Sequence, residues 1–324
     1  MRRIPVVLAA VALLAGCASS SPAVTNPGNV SNPAPASDAA VKLIFIHHST
    51  GEAWLGDESG GLGIALRDNN YFVSDTNYGW GPVAPELGGP IGDYTDIGNW
   101  WNWFFGPSGD TVMSAVLAES GQNSSYSRLA RDPGGENQIV MFKSCFPNSN
   151  LGGSPDDPPT TGPSNPLEGA GLDNLTVGNA KRLYLDLLEY FGTHADTLFV
   201  VITAPPLIAS DTTPEAAANA RAFNRWLVEH WLDDYPLANV GVFDFYDVLT
   251  SNGGDPNTND LGAATGNHHR YVNGQVEYVT DQGTNVSAYA VDGDSHPTPA
   301  GDHKATAEFV PMLNFFYARW KDGR

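Results

Sequence analysis

A three-layer α/β fold, a mostly parallel sheet of about five strands with helices on both faces and long loops over its carboxyl edge, is predicted by two features of the sequence. The first is a series of short apolar runs ending in polar residues, at 41–47 (VKLIFIH), 71–74, 138–142, 197–203 and 240–243. Unbroken apolar runs of this length belong to strands buried on both faces. The second is what lies between the later runs: segments with apolar residues at helical spacing. Strands alternating with helices wind into a parallel sheet covered on both sides, and ligands then bind beyond the strands' carboxyl ends.

The helical segments follow from their caps and stripes. Over 179–191, Leu183, Leu187 and Phe191 fall on one stripe. Thr213-Pro214 opens a helix running to about Asp234, with Ala220, Phe223, Leu227 and either His230 or Trp231 turned inward. Thr298-Pro299 opens a last helix in which Ala305, Phe309, Met312 and Phe316 recur at helical spacing. Four stretches read as long loops rich in Gly and Pro: 51–69, 77–108, 145–178 and 251–294. Inside the last, 271–276 reads as a small hairpin on an Asn273-Gly274 turn.

Ahead of the domain stands a different kind of segment. Met1-Arg2-Arg3, an apolar run from Ile4 to Leu14 and the small residues before Cys17 have the charge, core and exit of an export signal. The apolar run is too short for a permanent membrane span. Leu14-Ala15-Gly16-Cys17 resembles a bacterial lipobox, which implies a lipid on Cys17 and a protein held outside the cytoplasm, periplasmic or on the surface, by that anchor only. Residues 18–38, nearly all Ala, Ser, Pro, Asn, Gly and Val, lack the apolar surface to fold and read as a tether. One folded domain is expected over 39–324. The formal charge of −20 opposes nucleic acid, whose phosphates need cationic neighbours. With Cys17 lipidated, Cys145 has no disulfide partner.

Two distant segments carry the chemistry. Ser49 follows the first strand in Ile46-His47-His48-Ser49-Thr50-Gly51, where a sharp turn exposes a hydroxyl at the ligand edge with its own N–H beside it. His296, in Asp292-Gly293-Asp294-Ser295-His296-Pro297, immediately precedes the last helix. The positive end of that helix disfavours imidazolium and leaves a ring able to accept the serine proton, and a nearby carboxylate would orient it.

With both ends in view, the chain resembles the SGNH (GDSL-like) hydrolases over essentially all of 41–316. The resemblance implies a flavodoxin-like three-layer fold and acyl-ester hydrolysis without a cofactor. It also implies an oxyanion hole made by Ser49, by a Gly after the second strand and by an Asn after the third. Asp75-Thr76-Asn77-Tyr78-Gly79-Trp80-Gly81 offers Gly81 first and Gly79 second. Lys143-Ser144-Cys145-Phe146-Pro147-Asn148-Ser149-Asn150 offers Asn148 first and Asn150 second. The chain departs from the family in three places. His47-His48-Ser49 stands where the family has Gly-Asp-Ser, the Asn lacks its usual Gly-x-Asn-Asp surroundings, and position 293, three residues before the His, is glycine. Asp294 is the preferred orienting carboxylate, with Asp292 the alternative.

Other features allow rival readings. His47, His48, His268, His269, His296, His303 and Asp294 could be assembled into a metal site, but no HExxH-like spacing sets two ligands on one face, so no metal is expected. His48 is expected to touch substrate or hold the turn. Cys145 reads as a buried apolar residue more than a nucleophile. Trp100, Trp101 and Trp103 are expected either to wall a site for a glycan or other small ester substrate, or to bury and hold their loop down. A non-catalytic surface module that binds a glycan or a protein, and a metal-dependent hydrolase, are the alternatives to a serine esterase.

Overall fold

The computed structural model describes residues 37, 39–250, 269–272, 275–278, 284–291 and 293–323. The expected export signal with Cys17, most of the tether, Asp292, His268 and the Asn273-Gly274 turn lie outside these residues.

In chain order the elements are strand β1 (Val41–Ile46), helices α1 (Thr50–Leu55) and α2 (Leu62–Asp68), and strand β2 (Tyr71–Asp75). A short ribbon, β3 (Val83–Ala84) and β4 (Gly89–Pro90), precedes helices α3 (Ile97–Phe105) and α4 (Gly109–Ala118). Then come β5 (Ile139–Lys143), α5 (Val177–Gly192), β6 (Leu198–Ile202), α6 (Pro214–Glu229), β7 (Val240–Phe243) and α7 (Phe245–Thr250). The chain closes with β8 (His269–Val272), β9 (Gln275–Tyr278), β10 (Ala290–Val291), β11 (Asp294–Pro297) and α8 (Pro299–Asp322).

Five strands form one parallel sheet in the order β2-β1-β5-β6-β7. Side chains alternate between its faces, so each apolar run feeds two cores. Ile44, Ile46, Val140 and Phe142 enter a core with α3, α4, α5 and α6. Leu43, Phe45, Ile139 and Met141 enter a second with α1, α2, α7 and α8. Continuous apolar strands are thus explained by burial on both sides, as a three-layer α/β fold requires.

Both Thr-Pro pairs open helices where expected, though only Thr213 caps with its side chain. Thr213 Oγ1 accepts the Ala216 N–H at 3.1 Å, and α8 begins at Pro299 with Ala305, Phe309, Met312 and Phe316 all buried. The helix from Pro214 stops at Glu229, short of Asp234, and it is Trp231 that turns inward, its Nε1 donating to the Tyr184 carbonyl at 2.8 Å. The stretches 51–69 and 77–108, read as loops, contain α1, α2 and α3. On either side of the expected Asn273-Gly274 turn, β8 and β9 pair antiparallel, with Val272 opposite Gln275.

Candidate active site

Strand order places the site. From β1 the chain moves first to β2 on one side and then to β5 on the other, so the crevice where the order reverses opens at the carboxyl ends of β1 and β5. Ser49 lies just past the first of these ends and Cys145 just past the second. Their Oγ and Sγ atoms are 3.4 Å apart.

The backbone at Ser49 has φ 21° and ψ −83°, a conformation that costs energy for any residue with a side chain. Neighbouring contacts impose it. Thr76 Oγ1 both accepts the His47 N–H, at 3.0 Å, and donates to the His47 carbonyl, at 2.9 Å. Gly51 N donates to the His48 carbonyl at 2.8 Å, and Ala53 N to that of Ser49 at 3.0 Å. Gly51 packs so closely on His47 that a methyl group there would lie 2.4 Å from the His47 Cβ.

Ser49 Oγ also lies 3.2 Å from Nδ1 of His48, whose ring stacks on Tyr78 at 4.4 Å between centroids. Burial first, and then the charges of Lys143, His47 and His296, push the His48 pKa down to about 3. His48 is therefore a neutral ring at neutral pH.

The catalytic histidine proposed from sequence sits on β11. In an extended strand residues i and i+2 share a face, so Asp294 and His296 point the same way. Their side chains meet, Asp294 Oδ1 lying 2.6 Å from His296 Nδ1. Ser295, on the opposite face, ties the strand to the loop after β6: its hydroxyl donates to Asp211 Oδ2 at 3.1 Å and accepts the Ile208 N–H at 3.1 Å. The His296 ring stands edge-on to Phe146, the residue after Cys145, at 4.9 Å. Ser49, His48, Cys145, Asp294 and His296 thus converge on one rim. Among the described residues no hydrogen bond joins Ser49 directly to His296.

Other expected site residues lie elsewhere. The Asn148 amide is committed: Nδ2 donates to Asp96 Oδ1 at 2.7 Å and to the Cys145 carbonyl at 3.2 Å, and Oδ1 accepts the Ile97 N–H at 2.9 Å. Asn148 thereby caps α3 from outside and is not free to hold an oxyanion. Asn150 is exposed and borders a cavity of about 230 Å³ shared with Pro147, Leu172, Leu175, Leu207 and Asp211. Gly79 N donates to Asp93 Oδ1 at 2.8 Å. Gly81, at φ 121°, packs on Thr76, the residue that clamps His47.

Of the two roles open to the tryptophans, walling a site or burying under their segment, Trp100 and Trp103 take the second and are corrected as substrate contacts. Trp100 and Trp103 belong to helix α3, and their i, i+3 spacing turns both onto the sheet, where each packs on Phe142. Both are fully buried, and Trp101 packs partly buried against the same core. The exposed aromatics are instead Tyr78 (54 %) and Trp80 (60 %), on the tight turn after β2. Sequence reading passed over both because it weighed that turn only for its glycines.

Among the described residues the histidines do not assemble as metal ligands. His47 is buried, its Nε2 3.4 Å from Asp75 Oδ2; His48 meets Ser49 and His296 meets Asp294, while His303 lies exposed near Gly61. Among the described residues no three His, Cys, Asp or Glu side chains converge as metal ligands.

Compared with known proteins, the chain matches no family model, no curated sequence and no solved structure.

Proposed function

We propose that this protein is a serine esterase of the SGNH kind, with Ser49 as nucleophile, His296 as general base and Asp294 as the group that orients the base. The observation that carries this reading is the Asp294–His296 pair at 2.6 Å, standing against Phe146 at the rim where Ser49 is held in a strained turn. Ser49 Oγ attacks the acyl carbon, and its proton passes to Nε2 of His296 while Nδ1–H stays on Asp294. The imidazolium then protonates the departing alcohol, and water releases the acyl group by the same steps in reverse.

His48 is nearer to Ser49 but is the weaker base. A ring with a pKa of about 3 gives up a proton far more readily than it takes one, and among the described residues no carboxylate hydrogen-bonds to it. Before substrate binds, a serine–base hydrogen bond is commonly long and tightens only in the complex, which accommodates the gap between Ser49 and His296.

The substrate class inferred is a small or carbohydrate-borne acyl ester. We infer an extracytoplasmic, lipid-anchored setting from the first 17 residues alone; no helix among the described residues is long and apolar enough to cross a membrane. One observation favours a non-catalytic binding module instead, namely the engagement of the Asn148 amide with Asp96.

Labelling by a fluorophosphonate and turnover of p-nitrophenyl acetate decide between them. The esterase reading expects both activities in the folded protein, both lost in Ser49→Ala, and both retained within a few-fold in Cys145→Ala. Folded protein that neither labels nor turns over the ester is a binding module.

A further inference from the structure

Ester hydrolysis needs hydrogen-bond donors aimed at the oxygen that becomes negative as the serine attacks. Around Ser49 two candidates are engaged elsewhere. The Asn148 amide is held by Asp96 and the Cys145 carbonyl, and the Gly79 N–H by Asp93. From the same loop as Gly79 comes another donor: the ring of Tyr78 stacks on His48 at 4.4 Å, and His48 Nδ1 lies 3.2 Å from Ser49 Oγ, so a phenol stands beside the nucleophile.

We propose that the Tyr78 hydroxyl is an oxyanion donor of this site, a role that rests on the esterase reading above. When substrate enters, its carbonyl oxygen accepts the hydrogen bond of the phenol. As the bond between Ser49 Oγ and the acyl carbon forms, the carbonyl π electrons move onto that oxygen. The serine proton goes to His296. Tyr78 keeps its own proton and only strengthens its hydrogen bond.

The turn that carries Tyr78 is built to hold it still. Asn77 Oδ1 accepts the Tyr78 N–H at 2.8 Å, and the Asn77 carbonyl accepts the Trp80 N–H at 2.8 Å. Asn77 Nδ2 is anchored on Ser124 Oγ at 3.1 Å. The ring itself lies on His48, which the strained Ser49 turn fixes in place. A donor fixed before reaction costs no reorganisation during it. Partial burial raises the phenol's pKa from its ordinary value, so the hydroxyl stays protonated and able to donate across the neutral range.

Tyr78→Phe keeps the ring and its stack on His48 while removing the donor. With p-nitrophenyl acetate, loss of one such donor is expected to lower kcat by about 10²–10³-fold, to leave KM within about threefold, and to slow fluorophosphonate labelling of Ser49 to a similar extent. The thermal midpoint should be unchanged, since the hydroxyl belongs to an exposed residue. Wild-type protein that turns over the ester, together with a Tyr78→Phe variant of equal kcat, overturns this proposal and leaves the esterase reading standing. Folded wild-type protein that neither labels nor turns over removes the esterase reading, and this role with it.

Discussion

Asp294 touches His296 twice: its Oδ1 lies 2.6 Å from the ring Nδ1 and accepts the backbone N–H of the same residue at 3.0 Å. The backbone contact first, and then the ring, hold the Asp294 carboxyl below its ordinary pKa, so it stays ionised throughout the neutral range. Asp294→Asn removes the charge, and its amide can present a donor to Nδ1 in place of an acceptor. If Asp294 orients the base, kcat/KM for an acetyl ester should fall by about 10²–10⁴-fold with no change in fold, by analogy with loss of the orienting carboxylate in a serine triad. Steady-state kinetics with circular dichroism check this; a variant within threefold of wild type would leave His296 without an orienter.

Two further histidines set how the fold responds to acid. His47 is buried, and burial lowers its pKa despite the neighbouring Asp75 carboxylate; His48 is lowered to about 3, again chiefly by burial. Both rings are neutral in the folded protein near pH 6.5, where an unfolded histidine begins to take up a proton. The unfolded chain therefore binds more protons below that pH, and stability is complete above about 6.5 and lost as the pH falls towards the folded values. Each such group contributes a slope of about 1.4 kcal/mol per pH unit within its window. Urea unfolding at several pH values between 6.5 and 4 should show His48→Gln losing about one proton's worth of this slope relative to wild type. An unaltered slope would mean that His48 carries a proton in the fold.

Much of this architecture was legible because burial on both faces leaves a plain mark. The five apolar runs became the five sheet strands, and Thr298-Pro299 marked where α8 begins. The pairing of Asp294 with His296 was favoured from proximity alone, and the extended β11 supplies the reason a two-residue spacing works. Where reading failed, the deciding contacts were distant in sequence or the segment was too short to show a period. Helix α1 is only six residues long, too short to show a period, and its second residue is Gly51, packed on His47. Asn148 looked available because nothing near it in sequence foretells Asp96, the residue just before α3, which holds its amide. Whether Trp100 and Trp103 wall a site or bury stayed open because their stretch reads as loop; the helical period of α3 turns both inward.

The close approach of Gly51 to His47 makes a sharp test of the turn that holds Ser49. A methyl group at position 51 would sit 2.4 Å from His47 Cβ and Cγ, and His47 has no space to yield because its ring is enclosed by Phe45 and Asp75. Gly51→Ala is expected to destabilise the fold by about 1–3 kcal/mol through overpacking. Ester turnover should drop more than the folded fraction accounts for, since Ser49 lies between the two residues that must move. Thermal unfolding alongside kcat per folded molecule checks both parts; a variant of unchanged midpoint would show that the turn is looser than these contacts imply.

The aromatic residues divide between core and exposed surface. Trp100 is enclosed by Phe142 and Tyr184 and donates its Nε1–H to the Thr95 carbonyl at 3.0 Å, so Trp100→Ala opens a large cavity beside the sheet. The expected cost is about 3–5 kcal/mol. Trp80, at 60 % exposure, should cost less than about 0.5 kcal/mol when replaced by alanine, as surface substitutions usually do. Its effect belongs to function: if carbohydrate esters are the substrates, Trp80→Ala should raise KM for an acetylated oligosaccharide, whose rings can lie on the indole, and leave p-nitrophenyl acetate unaffected. Equal KM values for both substrates in the variant and the wild type would rule out Trp80 as a sugar contact, while the stability contrast with Trp100 would stand independently of any substrate.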